Sequence, residues 1–299
     1  MKIYDLITFS HELDLLDIRL NYLNDIVDFF VITGSRQTFT GLEKELNFYN
    51  NRDLFKSFAS KIIYLEAPSI TNIPTIKDYQ DNQSCWSCWT REHFQMNYSL
   101  SLLLDELVDD DILIINPIDE IPRKEILQKH LSDITTPRCC VQDLFFYKLN
   151  LMAVNNQKTI DLLNSNPEHN NIRHRLDNSI GKSYKWYGSV ISQKKYISKH
   201  FWPNQHHQKP FMDMIENCGW HYTYVSKEED ILTKIKSFSH ADYFRDNQSD
   251  NIESIKQAIK NHTEIIPADR ELIRIELNEN NCPLYIIQNI NKFQHLILS

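Results

Sequence analysis

Two carboxylates stand together directly after the most apolar segment of the chain. The run 112–115 (ILII) is followed by 116–120 (NPIDE), which ends in Asp119 and Glu120. Carboxylate oxygens suit Mg²⁺ or Mn²⁺, and such an ion can neutralise the charge on a departing phosphate. Asp119 and Glu120 are therefore the candidate catalytic residues. The alternative is a turn whose carboxylate pairs with Arg123 or caps the next helix.

A second acidic cluster, Asp109 to Asp111, lies before the same apolar run. Four strand residues at about 3.3 Å each would separate the two clusters by about 13 Å, so they cannot share one metal ion. Sites in open α/β sheets lie past the carboxyl ends of the strands. This rule favours Asp119 and Glu120 and leaves the triad as a solvated turn.

The elements that must position these carboxylates alternate between strands and helices. Residues 2–9 and 27–32 have strand character, and the leucines between them recur at helical spacing, with Ser10 able to cap that helix. A β-α-β unit of this length favours parallel strands. Further strands are predicted at 61–65, 112–115, 139–151, 184–191 and 220–225, and further helices at 86–108, 228–238, 251–261 and 269–277. The pattern predicts an α/β fold with a central, mostly parallel mixed sheet.

The predicted domain organisation is a catalytic domain over 1–245 and a mostly helical extension over 246–299. Ile252, Ile255 and Ile259 recur at helical spacing, so we expect this tail to pack on the core through an apolar face.

Composition excludes several classes of function. The 299 residues carry 32 basic and 40 acidic side chains, a net charge of −8, which argues against a nucleic-acid partner. The five glycines include no Gly-x-Gly and no Walker spacing, which excludes a Rossmann fingerprint and a P-loop. No apolar run approaches the length of a membrane span.

The cysteines and the first residues of the chain lead to a prediction of where the protein is located in the cell. Cys85 and Cys88 have zinc or redox spacing, but no second pair follows, so we expect buried or incidental thiols. With no apolar leader sequence after Met1, the chain is predicted to be cytoplasmic with free thiols. The Asn-rich stretch 164–178 and the pair His206-His207 are predicted to be loops.

The chain resembles glycosyltransferase family 17 in an ordered set of segments. The strand-and-acid string ILIINPIDEIPR carries the resemblance. Agreement extends in order to ELDLLDIRL, VDFFVI and TFTG near the start, WTREHFQMN at 89–97, WYGS at 186–189, GWHYTY at 219–224, SFSH at 237–240, PLYI at 283–286 and KFQHLI at 292–297. The resemblance implies a GT-A-like fold that transfers a sugar, N-acetylglucosamine or a related hexose, from a UDP-sugar to an acceptor hydroxyl with inversion. A cytoplasmic version would act on a glycan or lipid-linked saccharide.

The resemblance also implies which residues form the site. Asp119 and Glu120 would hold Mn²⁺ or Mg²⁺ and the donor diphosphate, with His240 as third ligand and His221 as its rival. The donor-binding candidates are Ser10, Arg91, Glu92, Gln95 and Asn97. Arg91 suits a phosphate, and Gln95 and Asn97 suit ribose or base; the alternative is an ordinary helix surface. Trp186, Trp220 and Tyr224 would stack on sugars in the acceptor site, or else belong to the core.

The chain departs from the family at the acidic motif, because Pro117 stands where the family has its first acid, and proline brings no ligand. Asn116 or Glu120 would have to substitute. Gly34 and Met96 also replace usual residues. An alternative function is therefore a UDP-sugar-binding pseudoenzyme with a weakened metal site. A third, a metal-dependent phosphohydrolase or nucleotidyltransferase, suffers from having no second acid pair at matching spacing.

The sequence does not single out the base that removes the acceptor proton. Glu120, Asp143 and Asp213 remain open as candidates.

Overall fold

A computed structural model describes residues 1–80, 83–165, 179–197, 209–265 and 270–298. The predicted loop at His206-His207, and residues 166–178 of the Asn-rich stretch, lie outside the described residues.

A single mixed sheet runs through the described part of the chain. Its strands are β1 (Ile3–Thr8), β2 (Phe29–Ser35), β3 (Ile62–Ala67), β4 (Ile112–Pro117), β5 (Glu120–Pro122), β6 (Arg138–Phe146), β7 (Leu151–Asn155), β8 (Lys185–Gln193), β9 (Asp213–Ile215), β10 (Gly219–Thr223) and β11 (Arg270–Arg274). Their order is β11-β7-β6-β8-β4-β1-β2-β3, with β10 beside β5 and β6, and β9 beside β6.

The N-terminal half of the sheet is parallel, as the β-α-β pattern predicts. β1 pairs in parallel with both β2 and β4, and β2 pairs in parallel with β3. Thr8 is in register with Thr33 on one side and Pro117 on the other. The carboxyl ends of these strands therefore open at one edge of the sheet, which is where Ser10 and the turn at Asp119 emerge. The α/β class is confirmed, and the mixed architecture is consistent with a GT-A-like fold.

The helices are α1 (Leu13–Leu23), α2 (Asn47–Asn50), α3 (Trp86–Leu103), α4 (Lys124–His130), α5 (Gln157–Ser165), α6 (Glu228–Ser237), α7 (Ala241–Asp246), α8 (Ile252–Asn261) and α9 (Leu284–Gln288). The helices predicted near α3, α6 and α8 are confirmed. The helix predicted at 269–277 is wrong, because β11 occupies that segment. Leu272 is buried there against β7, and an edge pairing overrides an ambiguous apolar pattern.

The central strands are apolar on both faces, because helices cover both sides of the sheet. On β1, Ile7 packs in the cluster that contains Leu16 and Leu20 of α1. The neighbouring Leu6 points to the other face, where it packs with Leu100 of α3 and with Leu104 just beyond that helix.

The C-terminal tail packs on this core, as its isoleucine spacing predicts. Ile255 and Ile259 of α8 are buried with Ile231 of α6 and Phe244 of α7, whereas Ile252 is half-buried. The division at residue 245 stays a prediction, although β11 of the tail pairs with β7 of the main sheet.

The expectation for the first two cysteines is wrong. Cys85 and Cys88 form a disulfide at the start of α3. The remaining cysteines, Cys139, Cys140, Cys218 and Cys282, are free and buried. The free-thiol premise behind the predicted location therefore fails for this pair. Across the described ranges, no helix is both long and apolar enough to cross a bilayer.

Candidate functional site

A cavity of about 370 Å³ opens at the carboxyl edge of β1 and β4. Most of the residues that the sequence nominates line it, namely Ser10, Glu92, Gln95, Asp119, Glu120, Trp186, His221, Tyr224 and His240. Arg91, Asn97 and Trp220 do not line it. Its volume falls within the range usual for small-molecule sites.

A buried arginine fixes the turn that carries the acids. The Arg19 guanidinium of α1 donates to both Asp5 oxygens at 2.8 Å each, and to the carbonyls of Ile118 at 3.3 Å and Glu120 at 2.8 Å. The Asn116 side chain bonds to Arg19 and Asp5 as well. Asn116 therefore points into the interior, and it does not substitute for the acid that Pro117 replaces.

Asp119 meets two basic side chains from the far end of the chain. Lys234 Nζ lies 2.7 Å from Asp119 Oδ2, and His221 Nε2 lies 3.6 Å from the same oxygen. Burial alone would raise the pKa of Asp119, but Lys234 and His221 hold it well below its usual range. The carboxylate is therefore ionised throughout the neutral range.

Lys234 contacts a second carboxylate, that of Glu12. Its Nζ lies 3.2 Å from Glu12 Oε1, while Glu12 Oε2 accepts the backbone N–H groups of Ser10 and His11 at 3.3 and 3.0 Å. Burial opposes ionisation of Glu12, yet Lys234 and His11 lower its pKa to about 2. Burial likewise opposes the charge on Lys234, and Asp119 and Glu12 nevertheless raise the pKa of Lys234. The three groups form one charge cluster, in which the two carboxylates are buried and Lys234 is half-buried.

Glu120 has different partners from its neighbour. Trp186 Nε1 donates to Glu120 Oε1 at 2.9 Å, and Lys209 Nζ lies 3.4 Å from Glu120 Oε2. Lys209 is fully buried. The Trp186 ring also packs beside the His221 ring, with centroids 4.7 Å apart.

The three predicted metal ligands do not fit a shared ion in this arrangement. Asp119 is engaged by Lys234, and both Glu120 oxygens have donors. The His240 ring packs edge-on to Trp89, with centroids 4.7 Å apart. Among the described residues, no group of three or more His, Cys, Asp and Glu could hold a metal ion.

The turn alternative also fails. Arg123 donates to the carbonyls of Asn217 and Asn280 and contacts neither acid. The helix that follows, α4, has no side-chain cap.

Helix α3 presents a carboxyl and an amide to the cavity. Glu92 is half-buried and accepts a hydrogen bond from the Ser239 hydroxyl. Burial raises the pKa of Glu92 to about 7, with Asp119 adding to the rise and Lys209 and Lys234 opposing it. Gln95 Nε2 donates to the carbonyl of Gln37 at 2.9 Å.

The other two α3 candidates have structural contacts. Arg91 is fully buried, donates to the carbonyl of Ile73 at 2.9 Å, and lies so close to Gly41 that an added Cβ would stand 2.8 Å from Arg91 Cζ. Asn97 Nδ2 donates to the carbonyl of His93 at 2.8 Å. Arg91 therefore ties the segments around Gly41 and Ile73 to α3, away from the cavity.

Ser10 and the aromatic candidates are divided in the same way. Ser10 Oγ accepts from Lys44 Nζ at 3.0 Å and does not cap α1, whose N-cap position is Glu12. Tyr224 lines the cavity, whereas Trp220 is buried against Tyr22, with ring centroids 5.7 Å apart. Trp220 is a core residue.

Of the three bases left open, only Glu120 lines the cavity. Asp143 accepts from Ser183 and Lys185, and Asp213 is exposed and bonds to Thr136.

Sequence reasoning missed a set of charged residues that line the cavity or contact its acids, Glu12, Lys44, Lys209, Lys234, Glu264 and Arg270. Lys234 lies between Ile231 and Ile235, which form the buried face of α6. A lysine next to a buried helix face is the one sequence feature that could have indicated Lys234.

Comparison with known proteins finds the same resemblance. The sequence model of glycosyltransferase family 17 matches residues 1–139. The resemblance to this family is confirmed. A rat protein named beta-1,4-mannosyl-glycoprotein 4-beta-N-acetylglucosaminyltransferase is 23% identical over 99% of this chain and 54% of its own length. Mouse and human proteins of the same name are each 22% identical over 99% of this chain, and over 54% and 55% of their own lengths. The chain spans about half the length of the curated relatives it matches.

The family match covers only part of the site. Residues 1–139 contain the acidic turn, α3 and the β1 edge, whereas Trp186, Lys209, His221 and Lys234 lie beyond the matched range.

Proposed function

We propose that this chain is a glycosyltransferase that moves N-acetylglucosamine or a related hexose from a UDP-sugar to a hydroxyl of a glycan or lipid-linked saccharide, with inversion. The family match and the names of the relatives support glycosyl transfer. The donor class and the stereochemistry are our proposal.

The observation that carries the proposal is the convergence of acids and cations on one cavity at the carboxyl edge of parallel strands, where α/β folds bind ligands. Ser10 and Gln95 suit the polar edges of a nucleoside. Lys44 and Lys234 offer positive charge for a diphosphate. Trp186 and Tyr224 present aromatic surface for a sugar ring.

The proposed reaction is a single in-line displacement. The acceptor oxygen bonds to the anomeric carbon as the bond from that carbon to the β-phosphate oxygen breaks, and UDP departs with the bonding pair. The acceptor proton passes to a carboxylate base.

We assign the base to Glu92. It lines the cavity and its pKa of about 7 suits a base at neutral pH. Glu120 is a weaker candidate, since both of its oxygens already accept from Trp186 and Lys209.

The test is a panel of UDP-sugars, scored by thermal stabilisation of the protein and by UDP release with saccharide acceptors. We expect one donor to stabilise the fold and to release UDP only when an acceptor is present. Absence of both responses for every UDP-sugar, with and without Mn²⁺, would contradict the proposal.

A UDP-sugar-binding pseudoenzyme is the second candidate, and Pro117 favours it because the acidic turn has lost one carboxylate. It predicts stabilisation by a UDP-sugar without UDP release in any acceptor mixture. Restoring the acid with Pro117→Asp would then raise Mn²⁺ affinity, measured by calorimetry. Transfer by the unmodified protein would eliminate this candidate.

A further inference from the structure

We propose that the Lys234 ammonium, and not a divalent metal ion, supplies the positive charge that binds the donor diphosphate. This inference rests on the proposed function, because it concerns the same cavity and the same UDP-sugar. It reverses the expectation of Mn²⁺ or Mg²⁺ at Asp119 and Glu120.

Lys234 lies between two carboxylates of the cavity. Its Nζ stands between Asp119 Oδ2 at 2.7 Å and Glu12 Oε1 at 3.2 Å. Two carboxylates from separate elements are what a divalent cation needs as ligands. Here an ammonium ion already satisfies both.

The Lys234 ammonium keeps one N–H group that can donate to a ligand. An ammonium group carries three N–H bonds and no acceptor. Two of them serve Asp119 and Glu12, and Lys234 lines the cavity. The third can serve a phosphate oxygen of a bound ligand, as a charge-assisted hydrogen bond.

Helix α6 holds Lys234 in a fixed position, as a charge must be held if it is to act without reorganisation. Ile231 and Ile235 bury the face of α6 on either side of Lys234. The end of that helix is held to the first half of the chain, because Thr40 Oγ1 donates to the carbonyl of Lys236 and Thr40 N to that of Ser237.

Binding of a metal ion at Asp119 in place of Lys234 would be energetically unfavourable. A metal ion at Asp119 would have to displace Lys234, leaving an ammonium that is only 20% exposed without that partner, which is unfavourable. Residue 117 is a proline, which brings no ligand that could offset this loss.

The experiment is calorimetric titration of UDP into the protein, once in EDTA and once in MnCl₂. We expect equal affinity in the two buffers for the unmodified protein, a result that needs no variant. Lys234→Met should bind UDP about tenfold to a hundredfold more weakly in EDTA, the loss expected for one charged hydrogen bond. Mn²⁺ should partly restore its affinity, because Asp119 and Glu12 are then free to hold the ion.

Two further variants guard the interpretation. Lys236→Met, an exposed position two residues along the same helix, should bind UDP like the unmodified protein. Lys234→Arg should retain most of the affinity in EDTA, since it keeps the charge.

UDP binding that requires Mn²⁺ in the unmodified protein would overturn this inference and leave the proposed function standing. Unchanged UDP affinity in a folded Lys234→Met variant in EDTA would also overturn it, because Lys234 would then be only a structural ion pair. Failure to bind UDP in either buffer would overturn both proposals.

Discussion

The acids around the turn after β4 come from the first half of the chain, and most side chains that contact them come from the second half. Residues 1–139, the range matched by the family, supply Glu12, Glu92, Asp119 and Glu120. The second half supplies the partners of these acids. Those partners are Trp186, Lys209, His221, Lys234 and Ser239.

This difference shows where the chemistry of the site is decided. Asp119 and Lys234 are 115 residues apart in the chain, and Glu120 and Lys209 are 89 apart. The range matched by the family model therefore contains the acids, while Lys209 and Lys234, which contact them, lie outside it.

The largest effect is expected from Glu92→Gln, which removes a carboxyl supplied by the first half. Loss of a general base should lower UDP release with acceptor by about a hundredfold to ten-thousandfold. In the unmodified protein the rate should rise with pH through about 7, because a raised pKa leaves the carboxyl protonated below that value. The variant should lose this step in its pH–rate profile.

Glu92→Gln should also stabilise the fold. Burial of the ionised carboxyl is unfavourable above its pKa, so the gain in melting temperature should be larger at pH 8 than at pH 5. A variant that keeps full activity and the same pH profile would remove Glu92 from the mechanism.

Asp119→Asn tests the link between the halves. It should lower UDP release by about a hundredfold, because it removes a preorganised charge that holds Lys234 beside the donor. The matched control is Asp109→Asn, at the opposite end of β4. The Asp109 carboxylate forms an exposed ion pair with Lys194. Equal losses in both variants would mean that the position after β4 has no special role.

A double-mutant cycle sharpens the same link. The effects of Asp119→Asn and Lys234→Met on UDP affinity should be non-additive by about 0.5–3 kcal/mol, since each removes the partner of the other. Calorimetry in EDTA gives the four affinities. Simple additivity would show that the two side chains act separately on the ligand.

The smallest effect concerns stability. Gly41→Ala should lower the free energy of unfolding by about 1–3 kcal/mol, because Gly41 has φ +87° and an added Cβ would press on Arg91. Gly181→Ala is the control, with φ +77° but open space around the added carbon. Urea denaturation should show a smaller loss for Gly181→Ala, and the reverse order would contradict the role given to Arg91.

Much of the fold could be predicted from sequence, because its strands are local apolar runs with polar boundaries. The unit β1-α1-β2 and the acids after β4 follow from this pattern alone. The helix predicted at 269–277 was wrong because β11 forms by pairing with the edge of β7, which is more than a hundred residues away in the chain.

The site was predictable only where function follows directly from a strand end. Arg91 has the side chain that a phosphate needs, but burial against Gly41 decides its role, and no spacing rule reports that contact. At Gly34, where the family resemblance implies an acid, the Tyr64 hydroxyl fills the space that a Cβ would need. The disulfide of Cys85 and Cys88 depends on the geometry at the start of α3 and not on the presence of a second cysteine pair.

The most direct test of the account is a crystal structure of the protein with UDP bound, grown in EDTA. We expect the uracil and ribose to lie near Ser10 and Gln95, and a phosphate oxygen to lie within about 3 Å of Lys234 Nζ while Asp119 keeps its contact with that nitrogen. A nucleotide bound elsewhere on the protein, with the Lys234 cluster unchanged and unliganded, would contradict it.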